Sequence, residues 1–271
     1  MTTPFPGTRD DQLGWLFALR GLPAAKRAGI KVSGGGAHQS KTMMLRELEA
    51  LLASAEHRGL DESVGAATAE NLLGKASASA SESSIRHLTS LYGLSSVPAV
   101  TRALIQLWRQ ADEGRPHLAL LCALARDPLL RDTAALVLQT RPGDTLTSGD
   151  FEAVLERAHP GRFSPAMRRS LAQNCASSWA QSGHLAGKVK KVRHQINATP
   201  EAAAYATLLA SLAGFGGPAI LTSPWFAVLD ASSEEQLGLL RRAQGRGLVR
   251  IRSAGGVFDL EASPELTAQV A

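Results

Sequence analysis

The run Leu118-Ala119-Leu120-Leu121-Cys122-Ala123-Leu124-Ala125 is eight consecutive uncharged apolar residues, closed by Arg126. With Pro116 just ahead of it, the stretch predicts a helix over 116–125 that is apolar nearly all round. Eight residues fall far short of the roughly 20 needed to cross a bilayer, so no membrane span is expected. The place for such a helix is the centre of a core, and the remaining chain has to supply helices that wrap it.

It supplies them. Met44, Leu45, Leu48, Leu51 and Leu52 recur at spacings of three and four, predicting an amphipathic helix from Ser40 to about His57. Thr68 is placed to cap a short helix through Leu73, with Gly74 as its stop. The Ser/Ala tract 75–84 reads as a loop running into a helix that starts near Ser81. Helical spacing returns in Ile85, Leu88, Leu91 and Tyr92, in Val100, Leu104, Leu107 and Trp108, over 128–139, and over 151–158 capped by Ser148 or Asp150. Few β-branched runs occur before residue 160. Residues 40–160 are expected to be a helical bundle, behind an irregular N-terminal arm (1–39) with four prolines or glycine clusters and one short apolar piece, Leu13–Leu19.

Beyond Pro160 the pattern changes. Ser164-Pro165 is an N-cap followed by proline at the first helical position, opening a helix with Met167, Leu171, Cys175 and Trp179 on one stripe. Arg169, Ser170, Gln173 and Ser177 fall on the opposite arc, and Gly183 ends it. Then Leu185-Ala186 and Lys188–Ile196 predict a strand, a turn and a basic strand. Ser232-Ser233-Glu234-Glu235 is a capping box that leads a second helix, followed by Leu248–Arg252, a turn at Ser253–Gly256, and Val257–Leu260. A helix followed by a two-stranded wing with outward arginines is the ending of a winged helix. The expected fold is mainly α: a helical bundle followed by winged-helix-like units with short β-hairpins, the first over 161–217 and the second over 218–271.

Charge follows these units. Arg157 to Pro200 carries eight basic residues and none of the 24 acidic ones, and Gln236 to Phe258 holds five arginines and no acid. Basic patches of this kind meet phosphates, although a solvated face explains a charge run equally well. The expected phosphate contacts are Arg168, Arg169, Lys188, Lys190, Lys191 and Arg193, with Arg246, Arg250 and Arg252 on a second wing. Lys188, Lys190, Lys191, Arg193, Arg250 and Arg252 are expected to be exposed. Gln173 and Asn174 have amides of the type that pairs with adenine, and Ser170 and Ser177 are small enough for the helix to approach a groove; the same face also fits plain solvent exposure.

Catalytic signatures are weak. Gly35 to Thr42 reads G-x-x-x-x-S-K-T, a P-loop in which Ser40 replaces the last glycine and before which Ala28–Val32 makes a poor strand. A loop leading into a helix accounts for it, and a nucleotide site is the distant alternative. Seven histidines show no HxxxH or HExxH spacing, and Cys122 and Cys175 lack a CxxC partner, so no metal, cofactor or disulfide framework is expected. Acidic pairs such as Asp10-Asp11 and Glu234-Glu235 sit at turns or helix starts, where capping explains them. The start of the chain lacks a basic n-region and an apolar h-region, so a cytoplasmic location is expected.

The order SKTMMLRELEALL (40–52), ENLLGKAS (70–77), IRHLTSLYGL (85–94), LALLCALARDPLLRDTA (118–134) and SPAMRRSLAQNCASSWAQSGHL (164–185) resembles the BrxA-like proteins of BREX phage-defence systems. These are small helical DNA-binding accessory proteins with a NusB-like helical part. The resemblance covers about Ser40 to Leu185 and consists of helical patterns without a catalytic signature; residues 200–271 extend beyond it. It implies a non-catalytic protein that binds double-stranded DNA beside other defence components, including a methyltransferase and an ATPase. An RNA-binding or protein-docking adaptor with a NusB-like bundle is the alternative.

Overall fold

The computed structural model describes residue 15 and residues 21–254 and 257–268. It is mainly helical with a few short antiparallel strand pairs. Among the described residues, no helix is long and apolar enough to cross a membrane. In chain order the first helices are α1 (Gly21–Arg27), α2 (Leu45–Arg58), α3 (Leu60–Ala66), α4 (Ala78–Tyr92), α5 (Ala99–Trp108), α6 (Arg115–Arg126), α7 (Pro128–Arg131) and α8 (Ala134–Gln139). As its sequence requires, α6 is buried on every side from His117 to Arg126, with α4, α5, α7 and later helices packed around it.

Several boundaries move for local reasons. Residues 40–44 are not helical, because side chains of a distant helix hold their backbone amides: Met43 N–H donates to Ser178 Oγ at 2.8 Å and Leu45 N–H to Gln181 Oε1 at 2.9 Å. The helix expected after Thr68 is a series of turns, and helix forms ahead of it in α3. The single helix expected over 128–139 is split at Thr133, whose hydroxyl donates to the Leu130 carbonyl at 2.7 Å. Of the N-terminal arm, α1 is helical and Trp15 is buried edge-on against Trp225, with ring centroids 4.9 Å apart. The rest of the Leu13–Leu19 piece lies outside the described residues.

Then come β1 (Thr145–Leu146), α9 (Ser148–Ala158), α10 (Pro165–Gln181), β2 (Leu185–Ala186) and β3 (Lys191–Arg193). Thr147, not Ser148 or Asp150, is the cap, and it forms a capping box with Asp150 at the start of α9. Strand β3 lies between β1 and β2, antiparallel to both, with Thr145 opposite Val192 and Leu185 opposite Arg193. Strand β1 was not foreseen; two residues are too few to carry a periodicity.

The last elements are α11 (Pro200–Leu212), α12 (Pro224–Ala227), α13 (Ser233–Gly245), β4 (Val249–Ala254), β5 (Val257–Ala262) and α14 (Pro264–Thr267). Helix α11 is a second all-round buried helix, with only Ser211 reaching solvent. Its alanines at 202, 203, 204, 206 and 210 let neighbouring helices approach closely. It packs on α12, α13 and β5 and also on α5 and α6, so it joins the C-terminal elements to the bundle in one core. The turn expected at Ser253–Gly256 includes Gly255 and Gly256, which lie outside the described residues.

Candidate nucleic-acid interface

Helix α10 is shaped by two unlike faces. Leu171, Ala172, Cys175, Ala176, Ser178 and Trp179 are buried, and Trp179 Nε1 donates to Thr133 Oγ1 at 2.9 Å. The stripe beside them is occupied by the segment around the 3-10 turn Ala37–Gln39: Asn174 Nδ2 donates to the His38 carbonyl at 2.8 Å, and Gln181 Nε2 to Thr42 Oγ1 at 2.9 Å. Asn174 is therefore not free to read a base. Met167, expected on the buried stripe, is 44% exposed in the first turn, ahead of the point where the core begins.

What remains is a narrow strip of exposed Ala166, Arg169, Ser170 and Gln173 with half-buried Ser177, none of them acidic. Spaced three or four residues apart, they project from one side of the helix. Gln173 is the long neutral polar side chain among them, and it is exposed.

The arginines divide. Arg168 is ion-paired with Glu156, whose carboxyl is held below its ordinary value by the Gly161 N–H, which donates at 3.0 Å, and by Arg168 itself. Arg169 is 67% exposed and lies 3.9 Å from Glu152. The acid-free segment thus meets acids from α9, which its own sequence could not reveal.

Between β2 and β3 the chain turns at Gly187-Lys188-Val189-Lys190. Gly187 has φ +104°, and a Cβ there would collide with the Lys190 carbonyl. Lys191 Nζ donates to the Gly187 carbonyl at 2.7 Å, tying the turn closed. Lys188 and Lys190 are exposed, and neither is paired among the described residues.

Arg193 corrects the expectation of an exposed basic strand. It is buried, its Nε donates to the Val137 carbonyl at 2.9 Å, its Nη1 bonds the His194 carbonyl, and its Nη2 meets Asp230 Oδ1 at 2.6 Å. Asp230 also accepts from the Ile196 N–H at 3.3 Å. The basic strand forms, with Lys191 and Val192 half-buried and the inward position falling on an arginine, which is paired rather than solvated.

The C-terminal hairpin forms as expected, with Arg250 and Arg252 exposed, but its pairing strand brings acids. Arg250 stands opposite Glu261 and Arg252 opposite Asp259, on the face away from buried Val249, Leu260 and Ala262. Cross-strand partners share a face with Cβ atoms about 5 Å apart, so each outward arginine faces a carboxylate. The acids lie just past Phe258, on the pairing strand. Arg246 is ion-paired with buried Glu201. As an isolated source of positive potential, this second wing is largely cancelled.

The P-loop-like stretch is built around a carboxylate. Asp127 accepts from the His38 N–H at 2.9 Å and from His38 Nδ1 at 2.7 Å, and it caps α7 through Leu129 N–H at 2.9 Å. Gly36 is packed so closely on Asp127 that a Cβ would collide with it. A negative charge thus sits where a phosphate would have to enter. His38 Nε2 lies 2.8 Å from Ser178 Oγ, which completes a Ser-His-Asp sequence of contacts. All three side chains are buried, and the Ser178 hydroxyl donates to the Asn174 carbonyl at 3.0 Å while accepting from Met43 N–H. A nucleophile needs access to its substrate, and this hydroxyl has none; the arrangement anchors α10 to the N-terminal segment. Only the residue types were visible in the sequence, since the three members are separated by 89 and 140 positions from His38.

Among the described residues there is no cluster of His, Cys, Asp or Glu that could hold a metal ion. Cys122 and Cys175 are buried free thiols, and burial pushes Cys122 up to about 11. No protein-family model matches the chain, and no curated protein aligns with it significantly.

Proposed function

We propose that the chain binds double-stranded DNA through the open strip of α10 and the β2–β3 turn, as a non-catalytic accessory protein of a BREX-like phage-defence system. One observation carries the DNA-binding reading. The order α8, β1, α9, α10, β2, β3, with β3 between β1 and β2, is consistent with a winged-helix-like unit, and its second long helix and wing carry exposed cations. An acid-free strip of small residues suits close approach to a groove, where Gln173 has the bidentate amide that pairs with adenine. Arg169, Lys188 and Lys190 supply the phosphate contacts. The defence setting, with a methyltransferase and an ATPase as partners inside the cell, rests on the family resemblance of residues 40–185.

Fewer cations are free than the sequence alone promised. Six phosphate contacts would give a slope of log K against log salt of about −5, whereas three give about −3. Anisotropy titrations of a labelled duplex at several salt concentrations measure it. A slope of about −3, with weaker binding to the separated strands, supports the proposal. No binding at low salt, or affinity indifferent to salt, contradicts it and favours the protein-docking adaptor.

A further inference from the structure

Helix α13 buries Leu239, Leu240 and Ala243 and leaves its opposite face uncovered, where Glu234, Leu237 and Arg241 are exposed and Gly238 is half-buried. The helical repeat sets these four on one side, with Leu237, 38% exposed, and Gly238 in the middle. Glu234 and Arg241 are about 10 Å apart along the helix, too far to pair with each other. Neither has a partner among the described residues. Gly238 is the residue that the fold does not explain. A glycine inside a helix costs stability relative to alanine, and a Cβ here would meet only the end of the Arg242 side chain, at an ordinary 3.5 Å. Nothing in the described part of the chain requires a glycine at this position.

We propose that this face is the contact between two copies of the chain, with α13 antiparallel to the partner's α13 across a two-fold axis that passes between residues 237 and 238. The charges are complementary to themselves in that register. Glu234 stands level with the partner's Arg241, and Arg241 with the partner's Glu234, so two ion pairs form reciprocally, as a two-fold contact requires. At the axis Leu237 meets the partner's Leu237, and the missing Cβ at Gly238 lets the two backbones approach. The helix dipoles run in opposite directions, which favours the same arrangement. A parallel pairing would instead set Glu234 beside the partner's Glu234. The face is one helix wide, at the small end of specific interfaces, so the dimer is weak and depends on concentration. It uses no residue of the proposed DNA interface.

The test is sedimentation equilibrium of the full chain without DNA, over roughly 5–500 µM, the range suited to a small interface. The parent should pass from monomer toward dimer across that range. Glu234→Arg alone, or Arg241→Glu alone, sets like charges opposite each other at both ends and should weaken the dimer by about tenfold or more. An equal mixture of these two variants brings opposite charges together again, so a mixed dimer should form at close to parental strength. Gly238→Gln should also weaken the dimer, with a melting temperature no lower than the parent's because a helix-interior glycine is removed. A parent that remains monomeric throughout overturns the proposal. So does a dimer that the charge variants or Gly238→Gln leave unchanged, or one that the mixture fails to restore; in the first case the copies meet through another surface.

Discussion

Replacing Arg193 with Ala should lower stability by about 3–5 kcal/mol, the range for removing one partner of a buried ion pair. The guanidinium joins the Val137 and His194 carbonyls to Asp230, so three polar groups lose their donor together. Asp230 has φ +57°, and its carboxylate also holds the Ile196 N–H, so the variant loosens the connection between β3 and the loop that precedes α13. In a chain of this size the melting temperature should drop by roughly 10 °C. Calorimetric melting of Arg193→Ala beside Lys190→Ala measures this directly: the exposed lysine should change stability by no more than about 0.5 kcal/mol. Equal and small changes in both variants would mean that Arg193 is solvated, as the charge pattern first indicated.

Asp127→Ala should be of similar size, about 3–5 kcal/mol. It leaves the His38 ring and backbone N–H and the amides of Leu129 and Leu130 without their buried acceptor. The same carboxylate gives a pH signature. Burial on its own would raise its pKa, but the charge and hydrogen bonds of His38, with the Leu130 N–H, outweigh it and hold Asp127 at about 2, below the ordinary 3.8. A depressed carboxylate contributes stability above its unfolded pKa and loses it as pH falls through the folded value. About 2 kcal/mol should therefore disappear between roughly pH 4 and pH 2. Denaturant melts of parent and Asp127→Asn across that window test it: the difference between them should shrink as pH falls. A constant difference would show that the carboxylate charge does not contribute.

What could be read in advance, and what could not, follows from the range of the interactions. The all-round apolar helix α6 was legible because a run of eight apolar residues leaves no face for water. Helix α10 was legible through Ser164-Pro165 and Gly183, which act within a turn of themselves. Helix α11 has the same burial, but alanines give a weak apolar signal, and its central place was missed. At the interface, the strip of Arg169, Gln173 and Ser177 follows from helical spacing alone. The pairing of Arg168, Arg193 and Arg246 with Glu156, Asp230 and Glu201 does not, nor does the placing of Glu261 and Asp259 opposite Arg250 and Arg252, because these acids arrive from other elements. An acid-free stretch of sequence is not an acid-free surface once strands pair.

The central claim is that duplex contacts come from the β2–β3 turn and α10 and not from the C-terminal hairpin. Its most direct test is the salt dependence of duplex binding for two double variants, Lys188→Ala/Lys190→Ala and Arg250→Ala/Arg252→Ala, each compared with the parent at matched thermal stability. Each lost phosphate contact reduces the slope by about 0.9. The account predicts that the lysine pair flattens the slope by about 2 and that the arginine pair leaves it within experimental error. Equal slopes for the parent and the lysine variant, or a larger change in the arginine variant, would contradict it.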